Sequence, residues 1–66
     1  MEWKELSENM WVSETPNRTA RIQCLPSVAG NLWPWYVWEP SGDCYAAGCE
    51  GSLADAQEVA GEAMLE

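Results

Sequence analysis

The chain has no histidine, no phenylalanine and only three basic residues, and each shortage removes a class of function. Without histidine there can be no Ser-His or Cys-His nucleophile pair, no His-ligated metal, and no general base of the commonest kind near neutral pH. Three cysteines, Cys24, Cys44 and Cys49, are an odd set that does not suit a disulfide framework and falls one ligand short of a structural zinc site. They read as reduced thiols acting as small buried hydrophobes. Glycine-rich phosphate loops, calcium loops and nucleophile elbows are also missing, so the expectation is a non-enzyme with no cofactor and no metal. The start, Met1-Glu2-Trp3-Lys4-Glu5, has neither the basic nor the apolar segment of a signal peptide. Nor is any apolar stretch long enough to span a bilayer, and a cytoplasmic protein is expected.

Charge of one sign is the next shortage. Lys4, Arg18 and Arg21 all lie in the first third, and from Ile22 to Glu66 the chain has seven acids and no base. The net charge of −8 opposes direct binding to nucleic acid or to an anionic membrane and favours a strongly basic partner.

What is present is a compact supply of apolar mass. In 66 residues, five Trp and two Tyr let a single small domain, residues 1–66, build a core that a chain of this length otherwise lacks. Residues 1–9 give no clear pattern. Met10 to Glu14 predicts a short strand closed by the Thr15-Pro16-Asn17 turn. Residues 18–25 alternate, with Ala20, Ile22 and Cys24 on one side and Thr19, Arg21 and Gln23 on the other, which predicts a half-buried strand. Pro26 to Asn31 reads as a loop. Residues 33–39 predict the aromatic strand, with Trp33, Trp35 and Val37 on one face and Tyr36 and Trp38 on the other, and Pro34 near a strand start or an edge. Pro40-Ser41-Gly42-Asp43 predicts a turn, and residues 44–48 a return strand.

The last segment predicts a helix over 53–65. Ser52 is a good N-cap with Asp55 at the N3 position, and steps of ~100° per residue gather Leu53, Ala56, Ala60, Ala63 and Met64 on one arc. Asp55, Glu58, Glu62 and Glu66 form the opposite stripe, ~16 Å long at the helical rise. The simplest fold is α+β: a small antiparallel sheet of three to four strands with the C-terminal helix packed on one face. In it, Trp11, Trp33 and Trp35 fill the core, whereas Trp38 or Tyr36 is left as an exposed interface anchor.

A solubilising helix face mixes charge signs, whereas this stripe does not, although like charges four apart destabilise a helix by ~0.2–0.5 kcal/mol per pair. Its steps of ~4.5–6 Å also approach the spacing of phosphates along a nucleic-acid strand. The Trp33-Pro34-Trp35-Tyr36-Val37 strand, the glycine-rich turn and the Ser52-Leu53-Ala54-Asp55-Ala56-Gln57-Glu58-Val59-Ala60 segment resemble a pattern in small phage- and prophage-encoded bacterial proteins. That group includes acidic, histidine-free anti-CRISPR proteins, some of which mimic DNA in the basic groove of a CRISPR complex. The resemblance implies a DNA-mimic inhibitor whose partner is a basic nucleic-acid-binding protein, a subunit of a type I Cascade-like CRISPR effector being the expected target. Asp55, Glu58, Glu62 and Glu66 would carry it, joined by Glu39, Asp43 and Glu50. The alternative is an adaptor that binds a protein partner through an exposed aromatic strand face at Trp38 or through a sheet edge.

Overall fold

A computed structural model describes residues 2–65. The fold is α+β, as expected, with one C-terminal helix packed on an antiparallel sheet of six strands rather than three to four. In chain order these are β1 (Lys4–Ser7), β2 (Met10–Glu14), β3 (Thr19–Gln23), β4 (Leu25–Ser27), β5 (Gly30–Trp38), β6 (Cys44–Glu50) and α1 (Leu53–Leu65).

Two strands lay outside the sequence reading, each for a physical reason. β1 is exposed along its whole length and pairs only with β2, through Lys4↔Val12 and Glu5↔Trp11, so it carries no apolar alternation to detect. β4 occupies what reads as a loop because Pro26 and a Val28-Ala29 tip look unlike a hairpin. At an edge, however, a proline leaves no ladder donor missing, and Gly30 supplies the positive φ, +122°, that lets so short a turn close.

β3 and β4 are two parts of one line. A single register runs from Thr19↔Trp38 through Ile22↔Trp35 to Leu25↔Leu32 and Ser27↔Gly30. The pairing lapses between them, where Pro34 of β5 has no N–H to give, while the β2–β3 register runs on past Gln23, the Cys24 amide donating to the Asn9 carbonyl at 2.8 Å. Pro34 therefore sits within β5, at the break in its neighbour. The aromatic strand accordingly begins at Gly30 and ends at Trp38, leaving Glu39 in the following turn, and the return strand runs on to Glu50.

The core lies between the sheet and α1. Ala20, Ile22, Trp35 and Val37 face Ala56, Ala60, Ala63 and Met64, and all are buried. Alanines on the helix let it approach closely enough for the Trp35 indole to span the gap. Gly48 of β6 makes room for that ring: a Cβ there would lie 2.7 Å from it. Trp35 alone of the three expected core tryptophans is buried, while Trp11, Trp33 and also Trp3 pack partly covered around the margin with Leu53 and Val59. The far end of the inner face is held by Ser13, whose hydroxyl donates to the Glu2 carbonyl at 2.7 Å.

The cysteines are not buried as expected. Cys24 is half-buried and Cys44 and Cys49 are exposed. A bulge between Val37 and Trp38 pairs Trp38 with Cys44 but Val37 with Ala46, so Cys44 and Cys49 both fall on the sheet face away from the helix despite their odd spacing.

Candidate partner-binding surface

α1 is held at both ends. At its start the Ser52 hydroxyl accepts the Asp55 amide at 3.1 Å, and the Ser52 carbonyl accepts the Ala56 amide at 3.1 Å. At its end the Arg18 guanidinium donates to the Ala63 carbonyl at 2.6 Å and lies 3.7 Å over the Tyr45 ring. A cation placed there satisfies an orphan carbonyl and complements the negative end of the helix dipole. Arg18 gave no such sign in the sequence. Its only local marker is the Thr15–Arg18 turn, in which the Thr15 hydroxyl accepts the Arg18 amide at 3.1 Å and so fixes where the side chain starts.

The buried arc of α1 is Ala56, Ala60, Ala63 and Met64, which leaves Asp55, Glu58 and Glu62 exposed together on the opposite side. Glu66, the fourth member expected of this stripe, lies outside the described residues. Two of the three cations are engaged elsewhere: Arg18 at the helix end, and Arg21 over the Trp38 ring at 5.5 Å on the other side of the sheet.

Glu39 and Asp43 are exposed in the β5–β6 turn, where the Glu39 amide bonds the Asp43 carbonyl at 2.9 Å and the Gly42 amide bonds the Glu39 carbonyl at 2.8 Å. The Ser41 hydroxyl donates to the Asp43 carboxylate at 3.1 Å. The Arg18–Ala63 bond ties the end of α1 to the start of β3, and Thr19 pairs with Trp38, so this turn shares an end of the molecule with Glu62. Glu50 is placed differently. It is half-buried at the end of β6 and accepts a hydrogen bond from the Trp35 indole N–H at 3.1 Å, which makes it a partner of the core ring.

The uncovered face of the sheet is the second candidate. Tyr36 and Trp38 are half-buried there and stack on one another, 5.7 Å between centroids and 20° between planes. A groove of about 320 Å³ runs beside Tyr36 between Met10, Gln23, Leu25 and Pro34. Beyond it the β4–β5 hairpin projects with Leu25 and Leu32 opposite each other, 56% and 40% exposed.

Comparison with protein-family models, with curated proteins and with solved structures gives no match. No helix of the described residues is long and apolar enough to cross a membrane.

Proposed function

We propose that the protein is a cytoplasmic DNA-mimic inhibitor of the anti-CRISPR kind, which uses its acidic helix to occupy a groove that a basic partner keeps for nucleic acid. The observation that carries this reading is the exposure of Asp55, Glu58 and Glu62 as one stripe on a helix secured by Ser52 and Arg18. Fixing carboxylates on a rigid element lowers the entropy lost when a groove captures them, which a mimic of a stiff polyanion requires. Glu39 and Asp43 extend the acid surface past the end of the helix. A DNA-recognition subunit of a type I CRISPR effector is the first target to test, and it would bind through a Lys/Arg groove in competition with DNA.

The test is competition between the protein and DNA for such a complex. Wild type is expected to displace DNA at low salt and to lose at least tenfold in potency between about 50 and 200 mM salt. Exposed charge contacts contribute ~0.2–1 kcal/mol each, so Asp55→Asn with Glu58→Gln and Glu62→Gln should weaken binding roughly threefold to a hundredfold. Full potency in the triple variant removes the reading.

A second reading rests on the Tyr36–Trp38 stack, which is the usual chemistry of an interface anchor. As an adaptor, the protein would bind its partner through that face, Trp38→Ala would matter more than any Glu, and binding would survive high salt.

A further inference from the structure

β5 is apolar on both sides. Its inward residues Trp35 and Val37 meet the helix, but its outward residues Leu32, Pro34, Tyr36 and Trp38 include no charged side chain. An antiparallel strand whose outer face is left to water alternates with polar residues, whereas apolar residues on both faces mark a strand covered on both. Neighbouring strands continue the same surface with Met10 and Val12 of β2 and with Leu25 of β4, and the groove beside Tyr36 lies within it. At its hairpin end Leu25 and Leu32 are exposed, while Met10, Val12, Tyr36 and Trp38 are half-buried.

Charge indicates what covers it. The outward strand positions hold two of the chain's three bases, Lys4 and Arg21, on rungs joined through Val12, with Glu14 nearby on β2 and Glu2 at the rim. The face is thus of mixed sign and close to neutral, in a chain whose net charge is −8 and whose helix stripe is acidic throughout. A surface carrying both signs beside an apolar centre is complementary to itself. From these observations we infer that the uncovered sheet face binds a second copy of the chain, giving a two-fold dimer layered helix, sheet, sheet, helix. The arrangement places the two acidic helices on opposite outer sides, as far apart as the bodies allow. It therefore buries the one face where two copies repel least. Size permits it: the molecule is 36 Å long and 19 Å across, and a sheet face of those dimensions is of the order of the ~800 Å² per partner buried in a standard interface.

The inference stands independently of the inhibitory role of the helix. Sedimentation equilibrium of the full chain across a concentration series should give twice the 7.4 kDa chain mass, with Kd below about 10 μM. Trp38→Asp replaces an apolar ring of this face by a charge, and Arg21→Glu makes the face negative on both copies. Each should weaken the dimer at least tenfold. Arg21 is exposed, so Arg21→Glu should keep the wild-type circular dichroism even if Trp38→Asp does not fold. Glu58→Gln with Glu62→Gln should leave the dimer intact. A protein that stays monomeric to about 100 μM overturns the inference. A dimer indifferent to both Trp38→Asp and Arg21→Glu overturns it too, because the copies would then meet elsewhere, such as along the β6 edge.

Discussion

Trp35 and Gly48 act as one unit. The indole is the largest buried side chain between helix and sheet, its N–H is satisfied by Glu50, and its ring lies where a side chain on the facing strand would otherwise stand. That ring is buried and its N–H is held by Glu50, so an added methyl at position 48 would force a packed indole to shift. Gly48→Ala is expected to destabilise the fold by about 1–3 kcal/mol, measured by urea unfolding, although alanine favours regular structure over glycine. An unchanged midpoint would mean that the ring can move aside. This contact was not legible in the sequence, where Gly48 is simply one glycine near a turn. That Trp35 points inward could be read from its alternation with Val37, whereas its dependence on the glycine directly opposite it on the neighbouring strand could not, because that needs the β5–β6 register.

At the scale of elements, α1 owes its position to residues outside it. Arg18 lies 45 positions before the carbonyl it caps, yet it closes the helix end and stacks on Tyr45 of β6, so three elements meet at one guanidinium. Arg18→Ala removes a charge-assisted hydrogen bond and a cation–π contact, and should lower stability by about 1–2 kcal/mol in thermal unfolding. Arg18→Lys should recover only part of this, since an ammonium does not reproduce the planar stack. The helix itself was legible to the residue, because its cap, its alanine arc and its acids are all local signals. β2 was legible too. What escaped were elements fixed by their neighbours: β1, held by β2 with no apolar face of its own, and β4, which is a strand only because β5 lies beside it. The candidate site divides the same way. The stripe of Asp55, Glu58 and Glu62 follows from helical spacing, whereas the withdrawal of Glu50 to the Trp35 indole depends on a contact between strands.

Across the whole molecule, charge is segregated along with exposure. The helix side is acidic, the opposite sheet face is aromatic and of mixed sign, and the hairpin from Cys24 to Trp33 carries no charge at all. Self-repulsion among like charges lowers the stability of the compact state and is screened by salt. Raising the ionic strength from about 10 to 150 mM should therefore raise the melting temperature by roughly 2–5 °C, and a fall on adding salt would contradict this distribution of charge. The strand order has a further consequence, in time instead of energy. With β4 continuing the line of β3, the strands lie side by side in the order in which they occur, from β1 to β6, and α1 closes last. Each strand can zip onto the one just before it, through a short loop, without waiting for a distant segment. A chain emerging from its N-terminus would have its sheet ready before the helix arrives, with only the outward aromatic face and the still uncovered Trp35 to protect while it waits.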